Sequence, residues 1–214
     1  IARFRLRERR RWQWLLFFLV LTLVTFVLDV ATGPSLLSPG EVVRSLLNYG
    51  DRDSMTDSIV RGLRLPIALM ALSVGASLGA GGAQMQTLLN NPMASPYTLG
   101  MAAAAGFGAA AMLAVGGLGL NDIIAVPLGA FVFSMFSAAF LFFLASMRRT
   151  NIESIILGGI ALLFLFQSLI SLIQFIASPQ LSQQLLFWLF CSLHKTTWPT
   201  LGISTLLHSA AHTS

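Results

Sequence analysis

Trp14-Leu15-Leu16-Phe17-Phe18-Leu19-Val20-Leu21-Thr22-Leu23-Val24-Thr25-Phe26-Val27-Leu28-Asp29-Val30 is an apolar run of about 17 residues with one charge near its end. Arg3, Arg5, Arg7, Arg9, Arg10 and Arg11 lead into it, with Trp12 and Trp14 at the join. A bilayer core of about 30 Å needs roughly 20 mostly apolar residues in an α-helix. Arginines on one flank and tryptophans at the interface mark a helix whose start stays in the cytoplasm. The run exceeds the apolar core of a secretory signal and no clear small-residue cleavage site follows, so a retained helix is expected.

Four more runs of this kind follow: Pro66 to Leu89, Thr98 to Val115, Ile123 to Met147 (closed by Arg148 and Arg149) and Ile155 to Ile176. A shorter apolar piece, Leu185 to Leu193, precedes Trp198 to Leu207, which is too short to span and dissolves into a tail holding His208 and His212. The pattern predicts an all-α, polytopic transmembrane helix bundle, five complete helices plus a partial sixth. Its expected segments are a basic amino terminus (1–13), a transmembrane domain (14–199) and an aberrant tail (200–214). Composition agrees. The 214 residues are 56% hydrophobic and 10% charged, against about 25% charged in a soluble domain.

A net charge of +5 invites a nucleic-acid reading, but no basic face recurs after the amino-terminal cluster, so no nucleic-acid partner is expected. Loop charges set the topology. With the arginine-rich start inside, residues from Gly33 to Leu65 lie outside, Asn90 to Pro96 inside, and Arg148 and Arg149 inside. Arg44, Arg52, Arg61, Arg64 and Lys195 then fall outside, the minority of the 13 basic residues. Cys191 is the only cysteine, which rules out an intrachain disulfide.

Small residues crowd the second and third runs. Gly75, Ser77, Gly79, Gly81 and Gly82 share the second, and Ala102, Gly106 and Ala110 recur at four-residue spacing in the third. In lipid, helices associate by close backbone approach through such residues, so Gly75, Gly79, Gly82 and Gly106 are assigned to helix packing. Gly75-Ala76-Ser77-Leu78-Gly79 also fits the nucleophile-elbow pattern G-x-S-x-G. That motif needs a strand-to-helix turn, whereas Ser77 sits within an apolar helix, so packing is the stronger reading. A membrane-embedded serine hydrolase stays as the alternative from another class.

No phosphate-binding loop is present: the one lysine, Lys195, follows His194, not glycine. His208 and His212 share a helix-face spacing but lack a nearby third ligand, so no metal is expected. Gln167, Ser171, Gln174 and Ser178 form one stripe on the fifth run. Polar groups in hydrocarbon face a partner or a water-filled cavity, which leaves a substrate path and interhelical hydrogen bonding equally open. Arg61 and Arg64 stand before the second run, placed to snorkel at the membrane surface or to dock an acidic partner.

Several segments resemble a known family. Arg64-Leu65-Pro66, Gly75-Ala76-Ser77-Leu78, Gln84-Met85-Gln86 and Asn91-Pro92-Met93-Ala94-Ser95-Pro96 with Leu99-Gly100 are similar to the permeases of iron-siderophore, haem and cobalamin ABC importers. The likeness continues through Leu157-Gly158-Gly159-Ile160-Ala161 and Phe187-Trp188-Leu189 and covers Trp14 to Pro199. Gln84, Gln86, Asn91, Pro92, Pro96 and Gly100 are its motif residues. The wording Ser95-Pro96-Tyr97-Thr98-Leu99-Gly100 looks closer to the iron-chelate members.

That resemblance implies a permease subunit in a bacterial inner membrane, with no cofactor and no catalysis of its own. Its implied partners are a second permease copy or homologue, ATP-binding cassette subunits inside, a substrate-binding protein outside, and membrane lipid. It gives Arg64 the role of docking on a glutamate of the binding protein. The family's second arginine, directly after the proline, is Ile67 here, and Arg61 one turn earlier is the candidate substitute. The fifth helix lines the path in relatives, which favours a translocation role for Gln167, Ser171 and Gln174, and Thr150 to Ser154 falls near their cytoplasmic gate. The family's ATPase-coupling loop and a later Pro-His motif are not matched, and Cys191 stands where glycine is usual. The chain is therefore expected to be an amino-terminal portion, through a frameshift or a fragmentary reading of the gene. An inert remnant is the remaining alternative.

Overall fold

The computed structural model describes residues 2–32, 38–47, 54–147, 151–190, 193 and 196–213. Arg52, Arg148, Arg149, Thr150, Cys191, His194 and Lys195 lie outside them, and of His208 and His212 only the backbone is described. Every regular element among the described residues is helical: α1 (Ala2–Ala31), α2 (Pro39–Leu47), α3 (Ser54–Asp57), a π-helical turn (Ser58–Arg64), α4 (Leu65–Leu88), α5 (Met101–Ala114), a 3-10 turn (Gly116–Gly119), α6 (Asp122–Ser146), α7 (Ile152–Ile176), α8 (Pro179–Phe190) and α9 (Trp198–Thr213). The fold is the all-α membrane bundle that the hydropathy pattern predicts.

Four stretches are long and apolar enough to cross a bilayer: Glu8–Ala31, Met55–Leu88, Asp122–Ser146 and Ile152–Ile176. The expected third span, Thr98 to Val115, needs correcting. Its helix, α5, has 14 residues and measures about 21 Å at 1.5 Å per residue, short of the roughly 30 Å core. Pro92 and Pro96 carry no amide for a helix to use, and Gly100 sits at φ +76°, outside the right-handed region. Residues 89–100 are therefore turns and α5 starts only at Met101.

Most of the described part of residues 33–65 is helical as well, and Val42 and Val60 bury against Val30 and Ala68 to form a small apolar core with Phe26 and Leu46. The tail does not dissolve after Leu207, since α9 continues to Thr213. His208 and the two alanines after it are compatible with a helix, and no glycine or proline falls beyond Gly202 to stop it.

The chain divides into two compact units, Ile1–Val74 with Leu193–Ser214, and Gly75–Ser192. In the first, α1 carries its apolar side chains outward, with Leu15 and Leu16 about 60% exposed, as suits a helix wrapped by lipid. In the second, α5 packs on α6, α7 and α8. Ala103, Ala104, Gly106, Gly108, Ala109 and Ala110 of α5 are all buried, because residues this small let backbones meet. A Cβ on Gly108 would run into the Gly129 carbonyl of α6. Beside that seam, Phe107, Phe133 and Phe166 from α5, α6 and α7 cluster, the closest pair edge to face at 4.9 Å.

Candidate functional site

In the first unit the arginines of the Arg-Leu-Pro segment are part of a hydrogen-bonded hub. Arg64 donates from Nη1 to the carbonyls of Val30 (3.0 Å) and Ala31 (3.1 Å). These belong to the last turn of α1, whose carbonyls have no amides ahead of them. Arg61 donates from Nε (3.0 Å) and Nη2 (2.6 Å) to the carbonyl of Ser45, near the end of α2. Both guanidinium groups thus sit at the negative ends of helices, where a cation is favoured. Asp57 pairs with Arg61 at 3.3 Å and accepts from the Ser45 hydroxyl at 2.7 Å. Trp198 Nε1 donates to the Arg61 carbonyl at 3.1 Å. Both arginines are half-buried.

In the second unit the motif loop and α7 meet through glycines. Gly100 has its positive φ and touches α7 so closely that a Cβ would lie 2.8 Å from Gly159 O and from Leu163 N. In return, a Cβ on Gly159 would lie 2.8 Å from the Leu99 Cα. Only glycine meets both demands at residue 100. The loop before it is self-bonded. Asn91 accepts from the Met93 amide at 2.9 Å through its side chain, an Asx turn. Ser95 and Thr98 exchange bonds, amide 95 to Thr98 Oγ1 at 2.9 Å and amide 98 to Ser95 Oγ at 3.1 Å. The Pro96 carbonyl takes the amide of Met101 at 3.1 Å. Beside the crossing lies an apolar cavity of about 290 Å³ walled by Met93, Tyr97, Leu99, Ile160 and Phe164 among others.

The α7 stripe flanks that crossing helix. Gly159, Leu162, Phe166 and Ile170 are its buried face. At 100° per residue, Gln167, Ser171 and Gln174 stand roughly a quarter-turn away. Gln167 and Ser171 are exposed and Gln174 is half-buried. Ser171 returns its hydroxyl to the Gln167 carbonyl at 3.0 Å, and Ser182 reaches the Gln174 carbonyl at 3.4 Å. Both bonds end on backbone carbonyls of a helix long and apolar enough to span a bilayer.

The other sequence assignments fall as follows. Gly106 is buried, and a Cβ there would press Ile170 and Leu189 at 3.2 and 3.3 Å. At Gly75, Gly79 and Gly82 nothing among the described residues lies within 4 Å of a Cβ position. Gln84, Gln86 and Pro92 are exposed, while Asn91 and Pro96 are half-buried. Ser77 lies in the middle of α4, so the strand-to-helix turn of a nucleophile elbow does not exist there. Sequence reasoning assigned no role to Gly159, Ser45 or Trp198. The Gly158-Gly159 pair was a signal for close approach, but the other two carried none.

A family model described as the FecCD transport family matches residues 21–212. An ABC transporter permease protein of Methanocaldococcus jannaschii is 29% identical over 201 residues, 88% of this chain and 57% of the relative. The vitamin B12 import system permease protein of Klebsiella pneumoniae is 28% identical, covering 94% of this chain and 58% of its own. The Fe(3+)-citrate import system permease protein of Bacillus subtilis is 30% identical over 156 residues, 73% of this chain and 45% of its own. A solved inward-facing metal-chelate type ABC transporter matches with a TM-score of 0.70 and 25% identity, over 88% of this chain and 56% of that one. The chain spans roughly half the length of the relatives it matches.

Proposed function

The chain belongs to the FecCD transport family, and from that premise we propose that it forms part of the membrane-spanning permease of an ABC importer for iron chelates such as siderophores. The observation that carries the reading is the family match across residues 21–212, which takes in both the arginine turn and the glycine crossing. Permease relatives for vitamin B12 and ferric citrate support the class of cargo, and the Ser95-to-Gly100 wording favours the iron side of it. The chain carries no reaction. ATPase subunits on the cytoplasmic side supply the energy, and a second permease copy or homologue completes the path.

In this reading a loaded binding protein docks from outside on Arg64 and Arg61 through carboxylates, which arginine pairs with well. Gln167, Ser171 and Gln174 line the passage, since amides exposed on a spanning helix need water or a partner. Gly75, Gly79 and Gly82 offer the open face of α4 to a neighbouring helix of the assembly. The six amino-terminal arginines keep the start of α1 in the cytoplasm of a bacterial inner membrane.

Arg64→Glu in the intact permease, expressed with its ATPase in cells lacking their own iron-chelate permease, tests this. Reversing a charge-assisted contact costs about 1.5–3 kcal/mol, which is tenfold or more in docking affinity. Uptake of a ⁵⁵Fe-labelled siderophore is expected to fall accordingly, with Arg64→Lys in between. Undiminished uptake in Arg64→Glu would count against the docking role. Transport of labelled cobalamin in place of the ferric chelate would replace the cargo.

A further inference from the structure

The π-helical turn that carries Arg61 and Arg64 is ended by Pro66 and left incomplete by it. Within the turn, amides reach back five residues, and the last such bond runs from Leu65 N–H to Val60 O. The next acceptor in that register is Arg61 O, whose donor would be the amide of residue 66. Residue 66 is proline and has none. An α wind would offer the Leu65 amide instead, but that amide is already given to Val60. A carbonyl that loses its helical donor takes its bond from a side chain or from water instead. The indole of Trp198 supplies it at 3.1 Å, from 137 residues along the chain.

Trp198 is well placed for this. It opens α9, and although the ring is 47% exposed, Thr196 two residues before it is buried and anchors the start of the helix. Its N–H is donor only, which suits a carbonyl acceptor. We propose that Trp198 is a positioning residue of the arginine turn: its indole N–H stands in for the amide that Pro66 lacks and so holds the π wind. Replacing the π wind by an α wind would remove one residue's offset and rotate the preceding segment by about 100°. Arg61 and Arg64 could not then both reach the carbonyls of Ser45 and of Val30. The proposal rests on the docking reading for what the turn is for, not for how it is held.

The test is a double-mutant cycle on the full chain in lipid nanodiscs. The readouts are phenylglyoxal modification of Arg61 and Arg64, followed by mass spectrometry, and hydrogen exchange at the Leu65 amide. Trp198→Phe keeps a ring but removes the donor, and it is expected to raise both readouts several-fold. Pro66→Ala restores a backbone donor, so in that background Trp198→Phe should have less than half the effect. Equal effects in the two backgrounds, or none in either, would mean that the indole only packs, and the proposal would be overturned. If Trp198→Phe does not fold, benzothienylalanine at position 198 keeps the indole shape with sulfur in place of N–H. It should reproduce the rise, and unchanged labelling would again overturn the proposal. Failure of the docking reading looks different: uptake would resist Arg64→Glu while the cycle stayed coupled.

Discussion

The arginine turn of the first unit and the glycine crossing of the second are held by opposite means. Around Arg61 and Arg64, long side chains reach the ends of α1 and α2 and are fixed by directional bonds to Val30, Ala31 and Ser45. Around Gly100 and Gly159, side chains are missing, and what fixes the contact is that two backbones touch. A hydrogen-bonded hub can exchange one partner for another at modest net cost, because each bond is worth about 1 kcal/mol after solvent is counted. A backbone crossing cannot give by a few tenths of an ångström without losing its packing. In the function proposed above, a turn that accepts an outside partner suits the first design, and the seam of a passage suits the second.

The largest expected effect is therefore at the crossing. Gly100→Ala places a Cβ against two backbone atoms of α7 and asks alanine to hold φ +76°. The left-handed conformation costs about 1–2 kcal/mol and the overpacking about 1–3 kcal/mol more. At roughly 2–4 °C per kcal/mol for a chain of this size, thermal unfolding in detergent should fall by about 10 °C. A shift within the error of the measurement would mean the loop does not cross α7 there.

Next comes a paired substitution that separates filled from open glycines. Gly108→Ala meets the Gly129 backbone and should destabilise by about 2 kcal/mol. Gly79→Ala meets nothing among the described residues and should leave the folded chain unchanged or up to about 1 kcal/mol more stable through helix propensity. If the α4 face packs against a neighbouring helix, that variant keeps its melting temperature and loses assembly in size-exclusion chromatography. Equal losses of stability from both would erase the distinction between the two helices.

A smaller effect of opposite sign is expected inside α6. Ser137 is fully buried and its hydroxyl has no hydrogen-bond partner among the described residues. By contrast, Ser134 and Ser168 return theirs to carbonyls of their own helices, at 2.9 and 2.8 Å. An unsatisfied buried hydroxyl costs about 1–3 kcal/mol, so Ser137→Ala should stabilise, by about 1 kcal/mol. A loss would show that the hydroxyl has found a bond in the membrane.

How much of this could be read from the sequence follows from the kind of contact involved. Hydropathy over some twenty residues is a one-dimensional signal, so α1, α4, α6 and α7 were legible. It failed at α5, because Thr98 and Leu99 look like more of the same apolar run while Gly100 turns the backbone the wrong way for a helix. The Gln167–Gln174 stripe was legible as a period, whereas what it faces depends on neighbours the period does not encode. Arg64 stood out as a charge at a membrane edge, but its carbonyl acceptors on Val30 and Ala31 are backbone groups that every residue has. Trp198 and Arg61 are far apart along the chain and meet through one indole and one carbonyl, and no local pattern announces that.

The smallest effect concerns the Asp57–Arg61 ion pair beside the arginine turn and bears on whether directional caps or charge hold it. Asp57 and Arg61 are four residues apart, 3.3 Å between charged atoms, with side chains 28% and 37% exposed. At that exposure water screens the attraction, and such pairs are worth about 0.3–0.5 kcal/mol. Asp57→Asn keeps an oxygen for the Ser45 hydroxyl, which now bonds Asp57 at 2.7 Å, and removes only the charge. Unfolding should shift by about 1–2 °C at low salt and by nothing measurable near 1 M salt, where the screening length falls to about 3 Å. A drop of several degrees that survives high salt would show that the pair is shielded and carries the turn. The contrast with the crossing would then be between a buried charge and a backbone contact, and the carbonyl caps of α1 and α2 would be secondary to it.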